Sequence, residues 1–112
     1  MHIAGLTVTP TLTIMNDSKF VGDDVKMLCS WEHNDDDKVV FLYRRTVHKI
    51  EEARVREVTL KSSTSPDIGY NFTLTAMTEL DSGFYWCDVK MGQLLFYTSR
   101  SEQLVVKGNI WI

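Results

Sequence analysis

The residue types that most often perform catalysis are scattered through this sequence. The three histidines are His2, His33 and His48. None of them lies at a spacing from a nucleophile and an acid that indicates an activated serine or cysteine. The sequence also has no glycine-rich phosphate-binding loop. These patterns favour a binding or structural protein over an enzyme, and they call for no cofactor.

An acidic segment at positions 32–37, with the sequence EHNDDD, is the main cluster of potential metal ligands. Clustered carboxylates can hold calcium, but this segment lacks the spacing of a calcium loop and a bidentate glutamate at its end. We therefore interpret it as a solvated loop and predict no metal site. Its negative field could still steer a basic partner.

The two cysteines, Cys29 and Cys87, lie 58 residues apart. They make no Cys-x-x-Cys pair, and a metal site would need more ligands at short spacing. Two readings stay open from the residues alone: a disulfide, or two buried thiols. A disulfide that closes a loop of this length would stabilise the fold by about 4 kcal/mol in the chain-entropy model.

Short alternating runs of apolar residues dominate the chain, and turn residues separate them about every ten positions. This pattern predicts an all-β, antiparallel sandwich of about seven or eight strands, with no long helix. The clearest runs are 25–31, 39–43, 70–74 and 84–89, and the clearest turns are 16–18 and 81–83.

The length of 112 residues is that of one domain, which we place at 6–107. It lies between an added or flexible start at 1–5 and the beginning of a linker at 108–112.

Charge and hydropathy restrict the possible partners. The net charge of −3 and the lack of a basic stripe argue against nucleic acid. No run of about 20 apolar residues occurs, so we expect membrane attachment only through an anchor outside this sequence.

The segment 81–87, DSGFYWC, resembles the Asp-x-Gly-x-Tyr-x-Cys signature of immunoglobulin-superfamily domains. The resemblance covers nearly the whole chain. It implies an immunoglobulin-like β-sandwich with a disulfide between Cys29 and Cys87, and a tyrosine corner at Tyr85. The spacing of the cysteines is short for a variable-type domain, so we expect an intermediate or constant-like type.

The resemblance also assigns structural roles near this motif. The family places a tryptophan on the disulfide about a dozen residues after the first cysteine, and here that position is Phe41. We therefore expect Phe41 to pack on the disulfide. Asp81 and Gly83 form the turn, and we expect Asp81 to pair with Arg54 or Arg56.

An apolar patch follows from this assignment, because side chains of a strand alternate between its faces. With Phe41 and Tyr85 inward, four apolar side chains of two neighbouring strands would face outward and form a candidate binding surface. An extra strand, a loop or arginine stems could instead cover it. The four residues are Val40, Leu42, Phe84 and Trp86.

The apolar loop around 90–97 is a second binding candidate, through Leu94, Leu95 and Phe96. Alternatively, these residues begin the last strand and face the core. Two glycosylation sequons, at Asn16 and Asn71, favour a secretory route together with the cysteines. A glycan on Asn71 would keep partners off its own sheet.

The function that these features predict is an extracellular binding module of a cell-surface immune-type receptor. The run Tyr85-Trp86-Cys87 with residues 99–106 behind it resembles the ectodomains of Fc receptors and related leukocyte receptors. This resemblance implies a protein ligand bound through one sheet face and the end loops. It would then lie on the outer side of the plasma membrane or be secreted. The alternatives are an adhesion domain that binds a second copy of itself and a spacer in a longer ectodomain.

Overall fold

A computed structural model of the chain describes residues 9–15, 19–32, 36–61, 68–92 and 95–108, with residues 95 and 96 described by their backbone only. The described residues form strands and one turn of 3-10 helix at Glu79–Asp81. The strands are β1 (Thr11–Met15), β2 (Lys19–Phe20), β3 (Val25–Ser30), β4 (Lys38–Thr46), β5 (Lys49–Leu60), β6 (Gly69–Leu74), β7 (Gly83–Met91), β8 (Leu95–Thr98), β9 (Glu102–Leu104) and β10 (Val106–Lys107).

Two antiparallel sheets make up the sandwich. One has the order β1-β3-β6, and the other has the order β5-β4-β7-β8 with β9 also paired to β7. The short strands β2 and β10 pair in parallel. Since β1 and β2 are two pieces of the first strand, and β8 to β10 are pieces of the last, these segments amount to seven strands, which confirms the predicted sandwich.

The type of sandwich follows from the second sheet. A constant-type domain has three strands in the corresponding sheet, and a variable-type domain adds two more. The described residues add one such strand, β5, at the free edge of β4. This arrangement is intermediate between the two types, as predicted.

The core lies between the sheets and is centred on the disulfide. Val25, Met27 and Cys29 alternate inward along β3 and are fully buried, and Cys87 meets Cys29 from β7. The S–S bond of 2.09 Å and the Cα–Cα separation of 6.2 Å confirm the pairing. The cross-link joins the two sheets directly, so it holds the layers together as well as shortening the unfolded chain.

The orientation of β4 differs from the prediction. Val40 and Leu42 are fully buried, whereas Phe41 is half-buried on the opposite face of the sheet. Leu42 lies directly opposite Cys87 in the β4–β7 register, and residues opposite each other share a face. The expectation that Phe41 packs on the disulfide was therefore wrong, as was the outward placement of Val40 and Leu42.

The turn before β7 is held by Asp81. Its carboxylate accepts hydrogen bonds from Arg44 at 2.8 Å and from the Thr78 backbone at 2.7 Å. The Tyr85 hydroxyl donates to the Asp81 carbonyl at 2.6 Å, which is the predicted tyrosine corner. The ion-pair partner is thus Arg44, and the predicted pairing with Arg54 or Arg56 was wrong.

Gly83 is needed at the start of β7 because the hairpin end of β4 passes very close to it. A Cβ atom at this position would collide with the carbonyl oxygen of Arg45 and would lie 2.6 Å from the Cα of Thr46. Backbone atoms cannot yield at that distance, so a side chain here would push the two central strands apart. Glycine therefore permits the close pairing of β4 and β7 next to the tyrosine corner.

The orientation of β4 can be tested by two alanine substitutions. We expect Leu42→Ala to lower the free energy of unfolding by about 2–5 kcal/mol, because it leaves a cavity beside the disulfide. Phe41→Ala should cost about 1 kcal/mol, since its ring is already half in solvent. Urea denaturation of both variants with the disulfide intact measures the difference, and a larger loss for Phe41→Ala would contradict the structure.

Candidate binding interface

The outer face of the β5-β4-β7-β8 sheet carries the candidate site. We use "outer face" for the side of this sheet that is turned away from the core. Register places Phe41 opposite Asp88, Tyr43 opposite Trp86, and Arg45 opposite Phe84 on this face. Their neighbours along each strand, including Leu42 and Cys87, point into the core. One sheet therefore positions all these side chains on a common surface.

Three aromatic rings in contact occupy the middle of the outer face, and we call them the aromatic cluster: Phe41, Tyr43 and Trp86. The Tyr43 and Trp86 rings are stacked, with centroids 6.0 Å apart and an interplanar angle of 13°. The Phe41 and Tyr43 centroids lie 6.1 Å apart. All three residues are half-buried, and Phe84 beyond them is 40% exposed. The cluster thus combines fixed ring positions with accessible apolar surface.

Two of the four predicted patch residues lie on the outer face. Trp86 and Phe84 lie on the outer face, as predicted, but Phe41 and Tyr43 take the places given to Val40 and Leu42. Both faces of β4 are apolar and both end in an arginine, so alternation alone does not orient the strand. The useful signal was residue type, because aliphatic side chains are more often fully buried than tyrosine, which keeps a polar end in water.

A paired arginine borders the cluster on the β5 side. The guanidinium of Arg54 lies 5.5 Å from the centroid of the Phe41 ring, and it also forms an ion pair with Glu57 at 3.1 Å. Arg54 and Glu57 are half-exposed there, so solvent screens the pair and its contribution to stability is small. The contact shows that a ring of this face accepts a guanidinium group on its surface.

Asp88 is the unusual polar residue of the outer face. It is half-buried, and its Oδ1 atom is shielded from solvent without a hydrogen-bond partner among the described residues. Burial raises the pKa of this carboxyl above its ordinary value; a hydrogen bond from Thr98 opposes the rise, and the nearby charge of Glu52 adds to it. Sequence reasoning missed Asp88, because an acid in an alternating strand is ordinarily read as a solvated side chain.

The other predicted site residues are distributed as follows. Leu94 and Asn16 lie outside the described residues, and so do the side chains of Leu95 and Phe96, whose backbone belongs to β8. Asn71 is exposed on β6, in the opposite sheet. The outer face therefore carries the interface hypothesis without them.

Within the described part of the chain, no three histidine, cysteine, aspartate or glutamate side chains gather in a way that could hold a metal ion. The same residues contain no helix of the length and apolarity needed to cross a membrane.

Comparison with known proteins agrees with this architecture. The family model described as "Immunoglobulin domain" matches residues 18–100. No curated protein matches the chain in sequence. A chain in a solved structure on T cell specificity and activation by the bacterial superantigen toxic shock syndrome toxin-1 is similar, with a TM-score of 0.64 and 18% identity. The match covers 87% of this chain and 98% of that one. At this identity the likeness concerns the fold alone.

The environment of Asp88 predicts an unusual pH dependence. Because its pKa is raised in the folded state, its contribution to stability is fully present below the ordinary value of 3.8 and is lost as the pH rises through the folded-state pKa. We therefore expect Asp88→Asn to raise the melting temperature at pH 7 and to increase the free energy of unfolding by less than about 1 kcal/mol. Below pH 3.8 the substitution should give no gain in stability.

Asp81→Asn should have the opposite effect on stability at pH 7 and serves as the comparison. Burial alone would raise the pKa of Asp81, but the Thr78 backbone and Arg44 outweigh burial and hold the pKa below its ordinary value. Its stabilisation is present above that value and is lost as the pH falls through the folded-state pKa. Asp81→Asn should thus lower the melting temperature at pH 7. Equal pH profiles for the two variants in thermal melts would contradict both assignments.

Proposed function

Because the chain belongs to the immunoglobulin domain family, we propose that it is an extracellular binding module of a cell-surface immune-type receptor. It recognises a protein ligand through the outer face of the β5-β4-β7-β8 sheet. The observation that carries this proposal is the aromatic cluster, whose rings are held in place and partly exposed.

The shape and chemistry of the face favour a protein as the ligand. Small molecules are bound in concave pockets, whereas the outer face is one surface of a sheet. Protein interfaces are enriched in tryptophan, tyrosine and arginine, which supply most of the binding energy. Here Trp86, Tyr43 and Arg45 lie together on that surface. Because the stacked aromatic side chains have few rotatable bonds, they lose little conformational entropy on binding.

The opposite sheet supports the choice of face. Asn71 of the sequon Asn-Phe-Thr is exposed on β6. A glycan attached there would project from the β1-β3-β6 sheet and obstruct partners on that side, leaving the outer face accessible. The disulfide between Cys29 and Cys87 agrees with an oxidising, extracellular location. The resemblance of residues 85–87 and 99–106 to Fc receptors supports the immune-type assignment.

Self-association is the second candidate, and the mixed charge of the outer face favours it. The face carries Arg45 and Arg54 as well as Glu57 and Asp88. A surface with both signs can oppose itself across a two-fold axis without net repulsion. In that case the domain acts in adhesion, with a second copy as its partner. A spacer role would instead leave the outer face without any partner.

The proposal is tested with fluorescent tetramers of the domain on a panel of intact cells. We expect Trp86→Ala to lower tetramer binding tenfold or more, since truncation of a central aromatic anchor typically costs at least 2 kcal/mol. Phe20→Ala is the matched control, because Phe20 is 44% exposed but lies in β2, outside this sheet. Protease treatment of the cells should remove binding. Equal binding by the two variants, or protease-resistant binding, would refute a protein ligand on this face.

Sedimentation velocity over a range of concentrations separates the two candidates. Receptor function predicts a monomer whose sedimentation does not change between the native chain and Trp86→Ala. Adhesion predicts a dimer that forms with rising concentration and is lost in Trp86→Ala. The second result would replace the receptor proposal by self-association.

A further inference from the structure

Asp88 lies on the outer face beside the aromatic cluster, and the described residues leave part of its bonding capacity unused. Along β7 it follows Trp86 on the same face, and across the sheet it lies opposite Phe41 on β4 and Thr98 on β8. Its Oδ1 atom has no hydrogen-bond partner among the described residues. A carboxylate oxygen in such a position is unfavourable unless a donor reaches it.

The neighbouring cation on β5 is already engaged elsewhere. Arg54 forms its ion pair with Glu57 at 3.1 Å and lies over the Phe41 ring at 5.5 Å. Glu52 is close enough to Asp88 to add negative potential at its carboxyl. The negative potential that Glu52 adds at the Asp88 carboxyl favours a positive group there.

The aromatic rings around Asp88 favour a guanidinium over an ammonium as the positive group. A guanidinium is planar, stacks on aromatic rings, and donates two parallel hydrogen bonds to one carboxylate. An ammonium is more strongly hydrated and presents no flat surface. Arg54 on Phe41 shows that a guanidinium fits on this aromatic surface. A carboxylate flanked by Phe41 and Trp86 thus suits arginine better than lysine.

We propose that the protein ligand of the outer face inserts an arginine side chain beside Trp86 and pairs its guanidinium with the carboxylate of Asp88. This inference rests on the proposed function and names the chemistry of its ligand. Because Oδ1 is covered in the free domain, the incoming arginine must displace a neighbouring side chain, which is a rotamer change of the kind that is common at interfaces. Asp88 then selects among ligands, while the aromatic cluster supplies most of the apolar contact.

The test is an NMR titration of the isotope-labelled domain with three probes: N-acetyl-arginine methylamide and the corresponding lysine and citrulline compounds. We expect the arginine probe to give saturable shifts at the Asp88 carboxyl carbon and the Trp86 indole. The lysine probe should bind at least fivefold more weakly. Citrulline has nearly the same shape without the charge and should give no saturable shifts.

Asp88→Asn should remove the response to arginine, and Glu102→Gln should retain it. Glu102 is the matched control because it is an exposed acid on β9, which also pairs with β7. The amide spectrum of each variant verifies that it is folded. No response at Trp86 in the native chain, an equal response to citrulline, or an unchanged response in Asp88→Asn would overturn the inference.

Tetramer binding to cells separates failure of the inference from failure of the proposed function. If Trp86→Ala abolishes binding while Asp88→Asn retains it fully, the outer face is the interface and the arginine inference is wrong. If both variants lose binding at least fivefold, both proposals stand. If neither variant changes binding, both fall. Self-association that depends on Asp88 would also overturn the inference, because the occupant would then be a second copy.

Discussion

The disulfide between Cys29 and Cys87 is the contact on which the placement of the other side chains depends. It joins β3 of one sheet to β7 of the other. Once Cys87 points inward, alternation along β7 puts Tyr85 and Val89 in the core, and Trp86 and Asp88 on the outer face. The cross-link therefore determines which side of the central strand meets solvent.

The register between β7 and β4 transmits that orientation to the neighbouring strand. Leu42 lies opposite Cys87, so the inward side of β4 carries the aliphatic residues and the outward side carries Phe41 and Tyr43. The turn held by Asp81 and the close approach at Gly83 maintain this register at the beginning of β7. A slip of one residue would move the aromatic side chains into the core and expose the aliphatic ones.

The outer face combines features that a purely structural surface does not require. Stacked rings bury part of one another, which stabilises the sheet, but they also hold a broad apolar surface at the boundary with water. Asp88 works against stability, because burial disfavours its charge and one of its oxygens has no partner among the described residues. Local features that cost stability in this way are found most often at functional sites.

The sequence by itself determined the class of fold and the turn before β7, and the family resemblance of residues 81–87 implied the disulfide. These features depend on local motifs and on alternation, and the segment 81–87 contains most of them. It also placed Phe84 and Trp86 outward, because they lie next to residues of that motif.

Tertiary structure alone decided the orientation of β4, the partner of Asp81 and the environment of Asp88. Both faces of β4 are apolar, so its inward side depends on the strand register with β7, and that register is a long-range contact. Arg44, rather than Arg54, reaches Asp81 for the same reason. Asp88 lies between β4 and β8, which only the assembled sheet brings together, and among the described residues its Oδ1 atom has no hydrogen-bond partner.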